Sequence, residues 1–466
     1  MNRILAFFFL LVACTAGAQN TDISGTALGR PGELVRVLVY ADQFSLLDST
    51  VAATETDVWG NYSLSFSLGK TEYAFLALGL KKGEFYIEPG NTYHALVRSD
   101  TVQGSVFDQL PLQFDLNEES GELNRMIGEF NFDYNTFILQ YQKQLLRAKS
   151  DKLINDFINK EKIRFADELA GSSYFSDYMT YSFASLEWIS KVKGGDTTIL
   201  KEYFTNRGVL YENIAYTDLF RDFFKQYFKN LDVFDYPVLI SALNKGELPY
   251  VDSLMQQDKW LEKDGRIREL ALMLLLARNF YNKDVVKEKV LNIFAEIEKT
   301  GKYGRNRIIA GNFKRKLLKL NYGSKAPSFE LKNAQGEGVT LDSFTGKFVL
   351  LNFITSACRP CLFNLPKMEE IQSGFGNSLE VLLIVSNGNM EKVSPFIKGS
   401  RFHLLDLENK ILLLEDYEIK TYPTYIIINP DGTLAMAPAP LPDENLDVYI
   451  ERFMKRYQDR NKEKVN

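Results

Sequence analysis

With only three cysteines and two histidines in 466 residues, the chain is nearly devoid of the side chains that hold transition metals or staple an exported fold. A structural zinc takes about four Cys or His ligands. His94 and His403 fall in segments of different character, so no such set assembles and no metal is expected. A basic excess is also missing: 55 Lys and Arg face 60 Asp and Glu, a net charge of −5. Phosphate binding needs a concentrated basic face, which argues against a nucleic-acid partner. The short run KRKLLK, Lys314 to Lys319, reads as the solvated face of a helix. After the N-terminus, no segment is apolar for the ~20 residues that a membrane-spanning helix requires.

What is present points to an ordinary globular chain, 45% hydrophobic and 25% charged, long enough for two or three domains. Residues 1–18 read as a signal peptide. Arg3 gives the positive start, Ile4 to Val12 the apolar run, and Ala16-Gly17-Ala18 the small residues of a cleavage region. Leu11-Val12-Ala13-Cys14 also fits a lipobox, which would leave Cys14 as a lipidated, membrane-associated terminus. The small residues after Cys14 favour the soluble form. Either way the expected location is the periplasm or cell envelope.

Removing Cys14 leaves one pair, Cys358 and Cys361, in an oxidising compartment. A disulfide across a two-residue gap closes too small a loop to stabilise the fold usefully. The pair is expected to serve chemistry.

The fold class expected is a multidomain α+β protein. Residues 20–112 carry strand-like runs such as LVRVLVY, YSLSFSL and EFYIEPGNTYHALV, divided by Pro31-Gly32, Gly60-Asn61 and Pro89-Gly90-Asn91. They predict an N-terminal antiparallel β-sandwich. Residues 113–320 place apolar side chains three and four apart, as in VVKEKVLNIFAEIEK, and predict a middle α-helical region. Residues 322–458 return to strands. FVLLNFI and EVLLIVS have the continuous apolar character of a sheet covered on both faces. TYIIINPDGTLAM predicts a hairpin turning at Pro430-Asp431-Gly432. The order predicted for this α/β domain is β-α-β-α-β-β-α.

The chemistry lies in FVLLNFITSACRPCLFNLP. A strand ends near Ile354 and a helix starts at the cysteine pair. Unpaired backbone N–H groups and the helix dipole favour negative charge there. Such a position lowers a thiol pKa below its ordinary ~8.5. Cys358 is therefore the expected nucleophile, with Arg359 adding positive charge beside it and Pro360 fitting the first helical turn. Cys361, one turn deeper, is placed to attack the mixed disulfide and release product.

Together, APSFEL, GKFVLLNFITSACRPC and YPTYIIINPDGTL resemble the TlpA/ResA-like thioredoxin family. The resemblance covers residues 322–458 and implies a thioredoxin-like fold and thiol–disulfide oxidoreductase activity, in the reductase direction. It implies that Pro366 kinks the active-site helix and that Pro423 is a cis-proline packed against the cysteine pair. The backbone of Tyr422 would pair with an extended substrate strand. Tyr422, Arg359 and Thr424 are the expected substrate-binding residues, and Pro360 and Pro366 support the site. No cofactor is implied beyond the Cys358–Cys361 disulfide. The implied partners are cysteine-containing exported proteins and an upstream thiol redox partner. Three positions depart from the pattern: Ala357 replaces the usual Trp, Asn364 a common Glu, and Asn352 the buried Asp of thioredoxin itself. None supplies a general base.

The N-terminal motifs ISGT, TDVWGNYSLSF and YIEPG resemble exported β-sandwich modules that precede thioredoxin domains in Bacteroidetes-type proteins. Two other classes remain open. An envelope binding or adaptor protein would carry the CxxC incidentally. A thiol-dependent peroxidase shares the fold, but its full Pro-x-x-x-Thr-x-x-Cys signature is missing.

Overall fold

The computed structural model describes residues 18–98, 111–117, 121–145, 150–191, 195–205, 207–229, 235–386, 389–408 and 410–465. The signal-peptide and Cys14 readings fall outside these residues. Among the described residues, one compact unit runs to Arg278 and a second begins at Asn279.

The first unit opens with β1 (Gln19–Ala27), β2 (Leu34–Tyr40), β3 (Asp48–Glu55), β4 (Asn61–Leu68), β5 (Glu72–Leu78), β6 (Lys81–Ile87), β7 (Thr92–Val97) and β8 (Phe114–Leu116). They form two four-stranded sheets, ordered β4-β1-β7-β8 and β3-β2-β5-β6. Strand β4 shows why: NYSLSFSL alternates exposed and buried residues along its whole length, and its inward set Tyr62, Leu64, Phe66 and Leu68 joins Val35, Val37, Leu76 and Phe85 in one core. One pairing departs from the antiparallel expectation. β1 runs parallel to β7, with Ile23 opposite Tyr93. The segment EFYIEPGNTYHALV does not make a hairpin within one sheet; β6 and β7 belong to different sheets, joined across the Pro89-Gly90-Asn91 corner.

Helices follow. Helix Glu122–Leu145 buries Leu123, Met126, Ile127, Phe130 and Phe137. Phe130 meets Phe165, Phe175 and Phe183 edge to face at centroid distances of 6.4, 6.4 and 5.5 Å. The aromatic richness of this region thus goes into packing.

The second unit starts with the helices Lys287–Thr300 and Gly304–Leu318. Its sheet comprises β9 (Glu330–Asn333), β10 (Gly338–Thr340), β11 (Phe348–Ile354), β12 (Leu379–Val385), β13 (His403–Asp406), β14 (Thr424–Ile428) and β15 (Leu434–Ala439), in the order β10-β9-β13-β12-β11-β14-β15. β11 is buried at every residue, which explains its unbroken apolar run. It pairs parallel with β12 and antiparallel with β14. The hairpin of β14 and β15 forms as predicted, turning through Gly432 at φ +76°. The predicted element order, with four strands, lacked β9, β10 and β13 and the short helix Leu412–Asp416 that follows β13. Four residues are too few to show a period, so HLLD carries no strand signal until it pairs with β12.

Candidate active site

β11 delivers the chain at Ile354 to the short loop Thr355–Ala357, and helix Arg359–Phe363 begins immediately after Cys358. Cys358 is the N-cap: its sulfur accepts the N–H of Cys361 at 3.1 Å, and its own N–H donates to the Thr355 carbonyl at 3.1 Å. The sulfur therefore sits on a free backbone donor at the positive end of the helix. Cys358 and Cys361 are joined in a disulfide with Cα atoms 5.3 Å apart. Cys361 is fully buried, whereas Cys358 is partly exposed between exposed Ala357 and Arg359.

The helix ends at Asn364 and restarts as Leu365–Phe375. Pro366 stands in the first turn of this second segment, where its missing N–H costs nothing. The single kinked helix expected from sequence is thus two helices sharing one break. Pro360 occupies the first turn of the short segment in the same way.

The register of β11 and β14 sets Asn352 opposite Tyr425 and Phe353 opposite Thr424. Pro423 immediately precedes Thr424, whose partner Phe353 lies one residue before the end of the strand that leads to Cys358. The Tyr422–Pro423 peptide is cis. Tyr422 is half-buried against the same hydrophobic cluster as Cys358 and Cys361, and its hydroxyl donates to Ser386 Oγ at 2.6 Å. Its ring is thus held, while the backbone before Pro423 belongs to a loop. Thr424 Oγ1 donates to the Thr421 carbonyl at 2.7 Å, closing that loop.

A buried tyrosine lies in the same core cluster as the cysteines. Tyr425 is fully buried beside Cys361. Asn364 Nδ2 donates to its hydroxyl at 3.5 Å, and Asn352 Nδ2 points at the Met368 sulfur at 3.2 Å. Burial pushes the Tyr425 hydroxyl up to about 12, while the amides of Asn364 and Asn352 pull it down. β14 is buried from Tyr425 to Ile428, and only its pairing with β11 shows which polar groups Tyr425 meets. Because its folded pKa exceeds the ordinary value near 10, Tyr425 stabilises the fold below that value, and the contribution is lost as pH rises towards 12. Tyr425→Phe should therefore flatten the fall in denaturant stability between about pH 10 and 12, by roughly 2 kcal/mol. An unchanged pH slope in that variant would reject the assignment.

Neither histidine joins the site. His94 Nδ1 lies 2.6 Å from Ser24 Oγ in the first unit. His403 Nε2 lies 3.1 Å from Glu380 Oε2 in the second.

The AhpC/TSA family pattern matches residues 322–437. The thioredoxin-like protein YneN of Bacillus subtilis is 32% identical over 125 residues, which is 26% of this chain and 74% of that protein. The chain belongs to the TlpA/ResA-like thioredoxin family. Thiol-disulfide oxidoreductase ResA of the same organism is 31% identical over 117 residues, 24% of this chain and 64% of ResA, just under two thirds of its length. A solved thioredoxin domain of a Bacteroides vulgatus thiol-disulfide oxidoreductase is 25% identical, with 28% of this chain and 97% of that domain covered at a TM-score of 0.27. Membership of the TlpA/ResA-like family accounts for the CxxC on a helix N-terminus, and the chain carries thiol–disulfide oxidoreductase chemistry.

Proposed function

We propose that the protein reduces disulfides of exported proteins in the cell envelope, with Cys358 as nucleophile and Cys361 as resolving thiol. The observation that carries the reading is the asymmetry of the pair: Cys358 is accessible at a helix N-terminus, and Cys361 is fully buried one turn behind it.

In the reduced protein the Cys358 thiolate attacks one sulfur of a client disulfide. A mixed disulfide forms and the other client sulfur leaves as a thiolate. Cys361, deprotonated to solvent or to the leaving thiolate, then attacks Cys358 Sγ. The Cys358–Cys361 disulfide forms and the second client thiolate departs. An upstream dithiol returns the pair to its reduced form. The present structure corresponds to the oxidised end of this cycle. Tyr422 and Pro423 are read as the docking edge for an extended client strand, with Arg359 and Thr424 beside it. No helix among the described residues is long and apolar enough to cross a membrane. The periplasmic location rests on the export signal read from residues 1–18, and membrane association would require lipidation at Cys14.

A peroxidase finds less support. Thr355 stands three residues before Cys358, but the proline that its signature needs is replaced by Leu351, buried in β11. The test is insulin reduction: the full chain should accelerate precipitation of insulin by dithiothreitol while leaving hydrogen peroxide consumption at background. No acceleration over dithiothreitol alone would overturn the proposal.

A further inference from the structure

The second unit holds a cavity of about 510 Å³ whose wall includes Thr421 and Thr424, the residues flanking Tyr422-Pro423. Lys287, Lys319 and Lys420 line it as well, against one carboxylate, Glu418, among the described residues. Lys319 closes the KRKLLK run, read from sequence as the solvated face of a helix. Its ammonium lies 3.7 Å from Glu418 and donates to the Glu415 carbonyl at 3.2 Å. Lys287 Nζ donates to Asn321 Oδ1 at 3.3 Å and lies 5.0 Å from the Tyr281 ring, contacts that position its charge without neutralising it. Lys420 is exposed and adjoins Thr421. At Tyr322, on the same wall, Arg456 stands 5.5 Å over the ring and Arg460 donates to the hydroxyl at 3.2 Å.

In a chain with net charge −5, this is a local concentration of positive charge beside the loop that would dock a client. Fixed charge of one sign in a concave site raises the local concentration of the opposite sign and speeds encounter. We propose that the cavity is a specificity subsite for acidic side chains of the client polypeptide, close in sequence to its reactive cysteine. The inference rests on the thiol-exchange reading above and names the client class for it. An extended strand advances ~3.3 Å per residue, so a client side chain two or three residues from the docked cysteine lies roughly 7–10 Å from it, the range in which a charge beside the Tyr422-Pro423 loop can meet it. The acidic residues are therefore placed two or three positions from the client cysteine, on one side of it.

The experiment uses the reduced full chain and disulfide-linked peptide dimers carrying Glu, Gln or Lys at the second and third positions before or after the cysteine. In one of the two orders the Glu dimer should be reduced about tenfold faster than the Gln dimer, and the Lys dimer more slowly. About 0.5 M salt should remove most of the difference, since surface charges are screened over a few ångströms there. Lys420→Glu combined with Lys287→Glu should cancel or invert the preference and leave turnover of the Gln dimer unchanged. Equal wild-type rates for all three dimers, or an intact preference in the double variant, would overturn the subsite. Failure to reduce any dimer would instead overturn the thiol-exchange reading beneath it.

Discussion

Cys358→Ser should lower dithiothreitol-coupled insulin reduction by about 10³-fold or more, to the uncatalysed rate, because serine offers no sulfur to form the mixed disulfide. The substitution is nearly isosteric at a partly exposed N-cap, where serine is itself a favoured residue. The protein should therefore stay folded, which separates lost chemistry from lost structure. Cys361→Ala should give a different phenotype. Cys358 can still attack, but the sulfur that would resolve the mixed disulfide at high effective concentration is gone. Covalent adducts with client proteins should then accumulate on non-reducing gels and disappear with excess dithiothreitol. A reversed pattern, with trapping by the Cys358 variant and none by the Cys361 variant, would contradict the roles read from their burial. Trapped partners would also report directly on the acidic-client subsite.

A comparable loss, in stability rather than activity, is expected at Gly25. This residue lies inside β1, between β4 and β7, paired with Tyr62 and Ala95. A Cβ there would fall 1.9 Å from the Ala95 carbonyl oxygen and 2.6 Å from the Tyr62 hydroxyl. That hydroxyl donates to the same Ala95 carbonyl at 2.9 Å, directly over the glycine. Gly25→Ala must therefore separate β1 from β7 or break the buried Tyr62 bond. Overpacking costs about 1–3 kcal/mol, and an orphaned buried acceptor about 1–3 more. Against a total stability of about 5–15 kcal/mol, such a loss is severe. Gly128→Ala is the matched control, since it sits in helix Glu122–Leu145 with nothing within 4 Å of its added Cβ. It should stabilise by about 1 kcal/mol through helix propensity. All three tryptophans, Trp59, Trp188 and Trp260, precede residue 279, so fluorescence-detected denaturation reads the affected unit. Equal shifts for the two variants would show that Gly25 has room the geometry denies.

Gly25 also shows how legibility divides. The sequence marks ISGT as a motif by its residue types, yet a glycine in mid-strand gives no sign of what approaches it. Two facts only folding supplies are the parallel pairing of β1 with β7 and the Tyr62 hydroxyl arching over the gap. Similarly, β13 is invisible at four residues, and Lys319, read as part of a solvated helix face, has no sequence link to Lys287 and Lys420 until one cavity collects them. The break at Asn364 is of the same kind. Pro366 signals an interruption, but a helix that bends and one that stops and restarts have the same local sequence.

The sequence by itself determined the elements whose signals are short-range: the fully buried β11, the cysteines at the following helix start, the Pro430–Gly432 hairpin and the alternation of β4. Period, capping and turn chemistry act within a few residues, so neighbours along the chain suffice to read them. Tertiary structure alone decided which strands pair, which cysteine is sealed from solvent, that Tyr425 meets Asn364 behind it, and which distant charges gather near Pro423. Those outcomes depend on how whole faces bury against one another, and residues far apart in the chain share no local pattern that records it.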